Sequence, residues 1–267
     1  MISPLAYLNS GAILGNNVKV DPFAVIHDGV TIGEDTHIMS NAIIMEGSHI
    51  GKNCIIYPGS VIGAVPQDLK FVGEKTTVEI GDHSTIRECV TINRGTKDRW
   101  KTVVGSHCLL MAYSHVAHDC ILGDHVILAN AVQLAGHVEV GNYAILGGMA
   151  GASQFTRIGE HTYIAGHTVI KKDVPPFIKA GRVPLSYIGV NSVGLQRRGF
   201  TKETVNEILE VYRNIYNKGL NITQALEFIE NKLPSSAEKT TIISFIKGSE
   251  KGILKQFSKE EKESDED

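Results

Sequence analysis

The sequence is poor in the features that mark several common classes of protein. Aromatic residues make up 6% of the 267 residues, with a single Trp, so a core built on large rings is not expected. No stretch approaches the roughly 20 apolar residues that span a bilayer. The first residues, MISPLAYLNSGAILG, lack the basic flank and apolar run of a signal peptide. We therefore expect a cytoplasmic protein without a membrane span.

Cysteine and net positive charge are also scarce. The four cysteines form no CxxC pair, and so few in a chain of this length do not make a disulfide framework. The formal net charge of -3 gives no reason to expect a nucleic-acid partner, because phosphates favour a strongly basic surface. The 27 glycines suggest a narrow and repetitive kind of packing instead.

What the sequence does have is a six-residue period. An aliphatic residue recurs at every sixth position from Leu14 to Ile62, and the fifth position of each block is small or β-branched. The frame breaks at residues 64–79 and again at about 97–103, then runs without a gap from Val104. A DVPP segment after Ile170 ends it, because two prolines remove consecutive backbone donors.

This period predicts a triangular prism, a parallel β-helix. Each hexad would form a short strand and a corner, with three hexads in one coil of about 18 residues and coils stacked about 4.8 Å apart. The aliphatic side chain would point inward, and Gly or Asn would relieve strain at corners that need φ > 0. Three cysteines fall on the fifth position beside the aliphatic, and we interpret Cys54, Cys108 and Cys120 as core residues.

Beyond Gly199 the period gives way to a helical pattern. Thr201 is a candidate N-cap for a helix through TKETVNEILEVYRNIYNKG, and two further helices are predicted over about 222–232 and 235–247. The predicted fold class is thus all-β, with a C-terminal α-helical region. The predicted units are a β-helix over residues 1–190 with an insertion loop at about 64–79, a helical domain over 191–255, and a charged, disordered tail over 256–267.

The period also predicts which chemically active side chains meet. Residues one coil apart lie one above the other, so His118, Gly136 and Gln154 would form one column, and Asp119 and His137 the neighbouring column. The segment HVAHD adds a third histidine, His115, across the corner from His118. We call these three histidines, the carboxylate and the amide the histidine cluster.

The histidine cluster suits general-base catalysis of acyl transfer. An imidazole with a pKa near 6.5 can take a hydroxyl proton at neutral pH, and Asp119 could fix its tautomer. The backbone N–H of Gly136 could receive the developing oxyanion. No serine or cysteine stands in the column as a nucleophile, so direct attack by a substrate hydroxyl is simpler than a covalent intermediate.

Two other interpretations remain at this point. The three histidines of the cluster could ligate zinc for hydration or hydrolysis, although their spacing does not resemble the trimeric hexapeptide carbonic anhydrases. A non-catalytic scaffold would leave the cluster unexplained. A separate column holds His107, His125 and His161 with Tyr143, without a carboxylate, and we interpret those residues as surface residues.

The order of several segments resembles one family closely. They are IGAVPQDLKFVGE, IRECVTINRGT, LLMAYSHVAHDC, HVILANAVQLAGHVEVG, GGMAGASQF, KKDVPPF and GVNSVGLQRRGF. Together they resemble the UDP-N-acetylglucosamine 3-O-acyltransferases that open lipid A biosynthesis in Gram-negative bacteria, over the chain to about Gly252. The sister N-acyltransferases carry an extra N-terminal uridine-binding domain, and hexads directly after Met1 favour the O-acyltransferases.

The resemblance implies an activity and an assembly. The enzyme would wind as a left-handed β-helix and transfer a 3-hydroxyacyl chain from an acyl carrier protein to the 3-hydroxyl of UDP-N-acetylglucosamine. It would need no metal and no cofactor, and would act as a homotrimer with active sites between neighbouring solenoids. The basic surface around Arg197, Arg198 and Lys202 would help to receive the acidic carrier protein.

The resemblance also implies residue roles. His118 matches the catalytic base, Asp119 its supporting carboxylate and Gly136 the oxyanion donor. The other matching residues would bind the substrate. Asp68 and Lys70 would hold the sugar and phosphates, and the cleft would be lined by His115, His137 and Gln154. The nucleotide would be bound by Asn191, Arg197 and Arg198.

Gly166 matches the position that sets acyl-chain length, where glycine implies a deep groove and a long chain. Two positions depart from the family pattern. Ser153 stands where His is frequent, and Val193 stands where Glu often meets the ribose, so sugar-phosphate and uridine contacts are expected to differ. An acceptor with a 3-amino group, which would give an amide, stays open.

Overall fold

The structure, a computed structural model, describes residues 1–257. The strands are very short, as a hexad with a corner requires. In chain order they are β1 (Tyr7–Leu8), β2 (Ile13–Leu14), β3 (Lys19–Val20), β4 (Val25–Ile26), β5 (Thr31–Ile32), β6 (His37–Ile38), β7 (Ile43–Ile44), β8 (Ser48–Ile50), β9 (Ile55–Ile56), β10 (Val61–Ala64), β11 (Thr77–Ile80), β12 (Thr85–Ile86), β13 (Thr91–Asn93), β14 (Lys101–Val104), β15 (Leu109–Leu110), β16 (His115–Val116), β17 (Ile121–Leu122), β18 (Ile127–Leu128), β19 (Gln133–Leu134), β20 (Glu139–Val140), β21 (Ile145–Leu146), β22 (Gly151–Ala152), β23 (Arg157–Ile158), β24 (Tyr163–Ile164), β25 (Val169–Ile170), β26 (Ile178–Gly181) and β27 (Ser186–Val190).

These strands form three sheets that wind as a left-handed parallel β-helix. Sheet 1 has nine strands from β1 to β25, sheet 2 has eight from β2 to β23, and sheet 3 has ten from β3 to β27. Up to β25 each chain turn visits the three sheets in order, so neighbouring strands of one sheet belong to consecutive coils, and β26 and β27 close sheet 3 as an antiparallel pair. The predicted fold class is confirmed.

The register places the aliphatic positions on top of one another inside the prism. Ile44 pairs with Ile62 in sheet 1, and Leu128 pairs with Leu146 in sheet 3. All four side chains are fully buried, and burying such a side chain contributes about 1.5–3 kcal/mol to folding. The three predicted core cysteines are buried as well, and burial raises the pKa of Cys120 to about 12. They are therefore core residues without an exposed thiol.

The corners differ from the prediction. We expected Gly and Asn where φ is positive, but most of the positive-φ corner positions carry other residues, such as Phe23, His125 and Tyr143. Glycine is required for a different reason at the position after the aliphatic. At Gly15 and Gly33 a β-carbon would lie 2.6 Å from the backbone of the next coil, so these glycines permit close stacking of coils.

Two loops leave the solenoid and return to it. The insertion loop spans residues 65–76, between β10 and β11, and the second loop spans residues 94–100, between β13 and β14. The second interruption was predicted three residues too far along the chain. Lys101–Val104 is a strand because it pairs on both sides, with β11 and with β17.

The C-terminal region packs four helices against the end of the solenoid. They are α1 (Ser192–Arg197), α2 (Lys202–Tyr216), α3 (Ile222–Lys232) and α4 (Ala237–Lys247). Thr201 caps α2 as predicted, because its hydroxyl accepts the Thr204 N–H. Helix α1 was not predicted. Within residues 1–257, no helix is both long enough and apolar enough to cross a membrane.

The chain end returns to the solenoid after α4. Ile253 forms a β-bridge with Asp173, and Gln256 forms one with Tyr187. The predicted tail therefore begins too early, because Gln256 is held by backbone pairing. Residues 258–267 lie outside the described part of the chain. The division into units at about residue 190 stays a prediction.

Candidate active site

The corner between sheets 1 and 2 carries the central pair of the site. His118 and Asp119 lie between β16 and β17, and Asp119 adopts a left-handed conformation with φ of 60°. The side chain of His118 is only 7% exposed, and that of Asp119 is fully buried. The second loop covers the Asp119 side chain. Without this loop, the corner of the prism would leave the carboxylate exposed to solvent.

The pair is joined by a short hydrogen bond. His118 Nδ1 and Asp119 Oδ2 lie 2.8 Å apart, and since an ionised carboxylate only accepts, the Nδ1–H is the donor. Burial alone would raise the pKa of Asp119, but hydrogen bonds from His118, Thr96 and Arg99 outweigh burial and lower it. Asp119 is therefore an anion at neutral pH, and in the neutral tautomer that donates from Nδ1 the lone pair of the His118 ring lies on Nε2.

Gly136 lies one coil beyond His118, directly beneath the imidazole. A β-carbon at this position would lie 2.6 Å from His118 Cε1. Within the described residues, no acceptor is hydrogen-bonded to the Gly136 N–H. The predicted column is confirmed, and its glycine offers a backbone donor beside the imidazole.

These residues border an open cavity of about 410 Å³ that runs over the outer face of sheet 1. Its walls include Gln67, His115, Ala117, His118, Gln133, Leu134, Ala135, Gly136, Gly151, Ala152, Ser153, Gln154 and Val169. One end, at His118, is polar, whereas the wall towards Val169 is mostly aliphatic. Such a groove can hold a polar group at one end and an acyl chain along its length.

His115 lies in this cavity with a defined partner. Its Nδ1 lies 2.7 Å from Thr91 Oγ1. Burial, with a contribution from the nearby His118, lowers the pKa of His115. Its ring is thus neutral at neutral pH and can donate or accept a hydrogen bond to substrate.

His137 was predicted to line the same cleft, but it lines a neighbouring cavity of about 310 Å³. Its ring meets the His118 ring edge-on at 5.2 Å and stacks on Phe155 at 4.4 Å. Its Nδ1 is 3.1 Å from Asp98 Oδ2, although the two atoms are not aligned as a hydrogen bond. Burial lowers the pKa of His137. His137 thus supports the far side of the central pair.

The insertion loop reaches the cavity through a residue that was not predicted. Gln67 lines the wall, whereas Lys70 is exposed and the Asp68 carboxylate accepts the Lys70 N–H. Within the described chain, Asp68 and Lys70 are therefore next to the cavity wall in sequence but not part of it.

Asn191, Arg197 and Arg198, the residues expected to bind the nucleotide, have different environments in the structure. Asn191 is buried, and its Nδ2 donates to the His161 carbonyl at 2.9 Å. Arg198 is half-buried and donates to the Tyr143 carbonyl at 3.1 Å, and burial lowers its pKa. Arg197 is exposed, as is Val193 on the same helix. Asn191 is thus engaged in holding helix α1 to the solenoid.

Gly166 lies at a different corner, between sheets 3 and 1. It is exposed, and the next strand carries Val169 at the aliphatic end of the cavity. A β-carbon at Gly166 would lie 2.8 Å from the Gly148 carbonyl oxygen. The position therefore borders the groove without lining it.

The second histidine column is not simply a surface feature. Its rings stack in one file with His83 and Phe177 at the two ends, at centroid distances from 4.4 to 5.7 Å. His161 is buried, contrary to prediction. Burial first, and the charge of Arg198 second, lower the pKa of His161 to about 4. The file ends against the helical region rather than at a binding site.

Sequence reasoning missed the residues that hold Asp119. Thr96 and Arg99, both in the second loop, donate hydrogen bonds to its carboxylate. The break in the six-residue period was the available signal, because an extra loop beside a buried carboxylate can supply donors to it.

The zinc alternative requires three histidines around one point. The metal-capable group that the described residues form is instead His118, Asp119 and His137, with ligand atoms within 4.8 Å. Both oxygens of Asp119 already accept hydrogen bonds from the second loop. The group therefore contains two of the three histidines that the zinc alternative requires, together with Asp119, and the chelation arm of the activity assay decides between zinc and metal-free acyl transfer.

Comparison with known proteins places the chain in a family. The model described as Udp N-acetylglucosamine O-acyltransferase, Domain 2, matches residues 173–254, and hexapeptide transferase repeats match residues 11–40, 29–64 and 101–136. The acyl-[acyl-carrier-protein]–UDP-N-acetylglucosamine O-acyltransferase of Halorhodospira halophila is 43% identical over 95% of this chain and 99% of its own.

Solved structures agree with the sequence comparison. The UDP-N-acetylglucosamine acyltransferase LpxA from Bacteroides fragilis is 47% identical and superposes with a TM-score of 0.94, over 96% of this chain and 100% of its own. LpxA from Acinetobacter baumannii is 39% identical with a TM-score of 0.92, over 95% and 99% of the two chains. The chain therefore belongs to the family of the acyl-[acyl-carrier-protein]–UDP-N-acetylglucosamine O-acyltransferases.

Proposed function

We propose that the protein transfers a 3-hydroxyacyl chain from an acyl carrier protein to the 3-hydroxyl of UDP-N-acetylglucosamine, the first step of lipid A biosynthesis. Relatives that are 39–43% identical over 95% of this chain are named for O-acyl transfer from acyl carrier protein to this nucleotide sugar. The observation that carries the proposal is the hydrogen-bonded His118–Asp119 pair, which faces a cavity beside the Gly136 N–H.

The proton path follows from the hydrogen bonds of this pair. His118 Nδ1–H donates to Asp119, so Nε2 is the nitrogen that accepts a proton from the sugar hydroxyl. The imidazolium that forms is stabilised by the Asp119 carboxylate, which stays ionised at neutral pH because its pKa is lowered. A positioned base of this kind contributes about 100- to 10,000-fold to the rate.

The acyl transfer then proceeds by direct attack. The sugar oxygen forms a bond to the thioester carbon, and the Gly136 N–H donates to the oxyanion that develops. The carbon–sulfur bond breaks, and the carrier thiolate takes the proton from His118 Nε2. The ester and the free thiol are the products, and these steps use no metal ion or cofactor.

The remaining roles extend the same proposal. His115 and Gln154 would bind the sugar from the cavity wall, with His137 supporting His118 from behind. Asp68 and Lys70 would bind the sugar and phosphates once the insertion loop meets a neighbouring subunit of a homotrimer. Arg197 and Arg198 would face the nucleotide, and the basic surface with Lys202 would receive the carrier protein. The cytoplasmic location stays a prediction.

The test is an assay of chelator-treated protein with UDP-N-acetylglucosamine and 3-hydroxyacyl carrier proteins of several chain lengths. We expect 3-O-acylated nucleotide sugar from the wild type and a loss of about 100-fold or more in His118→Ala. His83→Ala, which removes an exposed histidine at another corner, should keep wild-type activity. Absence of product with every donor, or activity that only added zinc restores, contradicts the proposal.

A 3-amino analogue of the nucleotide sugar belongs in the same assay. Amide formation at a higher kcat/KM than ester formation would overturn the 3-hydroxyl acceptor while leaving acyl transfer in place.

A further inference from the structure

The second loop contributes a buried hydroxyl to the central pair, His118 and Asp119. We propose that Thr96 is a positioning residue for acyl transfer, whose hydroxyl holds the Asp119 carboxylate towards His118 and sets how strongly that carboxylate supports the imidazolium. The inference rests on the proposed function and extends it to a residue that does not contact substrate.

Thr96 binds both oxygens of Asp119. Its Oγ1 donates to Asp119 Oδ2 at 2.7 Å, and its backbone N–H donates to Oδ1 at 2.9 Å. The backbone N–H of Arg99 completes the set on Oδ1 at 3.1 Å. Both Thr96 and Asp119 are buried, so water does not compete for these oxygens. Hydrogen bonds to a buried carboxylate are among the strong ones in proteins.

One oxygen of Asp119 is shared between Thr96 and His118. Asp119 Oδ2 accepts from Thr96 Oγ1 and also from His118 Nδ1 at 2.8 Å. A hydrogen bond to an ionised carboxylate stabilises its charged form, and the bond from Thr96 thus helps to lower the pKa of Asp119. Removing the Thr96 hydroxyl would leave a more basic carboxylate facing His118, which would hold the imidazolium more tightly.

The loop fixes Thr96 in this position. Thr96 Oγ1 accepts the Asp98 N–H at 3.2 Å, and the Thr96 carbonyl accepts the Trp100 N–H at 2.8 Å. The guanidinium of Arg99 joins the Asp119 carbonyl, at 3.2 Å, to Glu139 on the next coil, at 2.6 Å. The second loop is thus tied to two coils, and the hydroxyl has one orientation in which it donates to Asp119.

The groups that face Asp119 decide which titration the pH profile reports. They are His118, His137, Arg99 and the hydroxyl of Thr96, with Asp98 beyond His137. Of these, His118 alone is the proposed base. The fall of kcat/KM on the acidic side of its pH profile, here called the acidic limb, therefore follows protonation of the central pair. A hydroxyl that only supports the fold would not move that limb.

The experiment compares Thr96→Val, which keeps the shape and removes the hydroxyl, with Thr96→Ser, which keeps the hydroxyl. Thr36→Val is the matched control, because the buried Thr36 hydroxyl also donates once, to the Gly51 carbonyl, and accepts once, from the Cys54 N–H. The pH profiles of kcat and kcat/KM are measured for each variant, together with the thermal unfolding midpoint.

We expect Thr96→Val to lose about tenfold in kcat, with little change in KM for the nucleotide sugar. Its acidic limb should move to higher pH by about half a unit, and Thr96→Ser should restore both properties. A limb that stays in place in Thr96→Val, or a kcat no lower than that of Thr36→Val, overturns the inference. If Thr96→Val does not fold, Thr96→Ala carries the same expectations.

Failure of this inference is separate from failure of the proposed function. An active wild type with an unmoved limb in Thr96→Val removes only the role of Thr96. A wild type that makes no product removes the proposed function, and the inference with it.

Discussion

The imidazole of His118 occupies the space in which any residue larger than glycine at position 136 would place its β-carbon. That carbon would lie 2.6 Å from His118 Cε1 and 2.7 Å from His118 Nε2. The proposed base and the proposed oxyanion donor therefore lie one coil apart with no room for a side chain between them.

This contact predicts that Gly136→Ala lowers activity strongly. The methyl group would push the imidazole off Asp119, and misplacement of a catalytic group by about 1 Å can cost about 100-fold in rate. We expect a loss of that size in kcat/KM in the acyl-transfer assay, with a thermal midpoint within a few degrees of wild type. Activity within twofold of wild type would show that the ring has room to move.

The buried imidazole of His161 predicts a pH dependence of stability. Its pKa is about 4, below the value of 6.5 for a free side chain. Between those two pH values the unfolded chain binds a proton that the folded chain does not. Protonation of His161 should therefore leave the free energy of unfolding unchanged at pH 7. It should lower that free energy as the pH drops from about 6.5 towards 4.

His161→Phe tests this contribution, since a phenyl ring can stack between Tyr143 and Phe177 without titrating. From pH 7 to pH 4.5 we expect the wild type to lose on the order of 2–3 kcal/mol more than this variant. Urea unfolding at the two pH values gives the comparison. Equal losses in the two proteins would assign the acid sensitivity to other groups.

The groove over sheet 1 predicts that Gly166 limits acyl-chain length. A β-carbon at Gly166 would lie 2.8 Å from the Gly148 carbonyl oxygen, so a larger side chain must displace this corner, which borders the groove near Val169. Gly166→Met should therefore favour shorter chains, with a thermal unfolding midpoint within a few degrees of wild type as the check that the coil stays folded. We expect the ratio of kcat/KM for long and short 3-hydroxyacyl carrier proteins to fall by tenfold or more, on the order of the selectivity that a few methylenes give. An unchanged ratio in a competition assay would place the acyl chain elsewhere.

Replacing Asn191 and replacing Arg197 by alanine should affect different properties, stability in the first case and binding of the nucleotide sugar in the second. Asn191→Ala leaves the buried His161 carbonyl without its donor, which should lower the free energy of unfolding by about 1–3 kcal/mol. Arg197 is exposed, so Arg197→Ala should leave stability unchanged and raise the KM for the nucleotide sugar severalfold, as for loss of a charge-assisted contact. Urea unfolding and steady-state kinetics separate the two effects. A destabilised Arg197→Ala would assign that side chain a structural role.

The solenoid and the central column could be predicted because their geometry repeats. An inward aliphatic every sixth residue fixes the coil, and the coil length then places Gly136 next to His118 and His137 next to Asp119. The same reasoning could not describe the corners, because positive φ there is tolerated by residues as large as Phe23 and Tyr143.

The parts without a period could not be predicted. The break in the six-residue period marks the second loop but not the path that it takes over Asp119, so the hydrogen bonds from Thr96 and Arg99 were missed. The docking of helix α1 likewise depends on contacts between distant parts of the chain, such as Asn191 with the His161 carbonyl. The helices themselves were predicted well, because Thr201 and the apolar spacing after it are local signals.

Both loops leave the prism and re-enter it while the inward aliphatic positions keep their pairing, and a register shift is confined to the end of β10 after Ile62. Ile62 and Ile92 pair in sheet 1 across the insertion loop, as Ile44 and Ile62 do without one. Residues can therefore be gained or lost in either loop during evolution while the frame stays intact, whereas one residue added inside a hexad would turn later side chains away from the core. The scaffold and the segments that shape its chemistry are free to diverge at different rates.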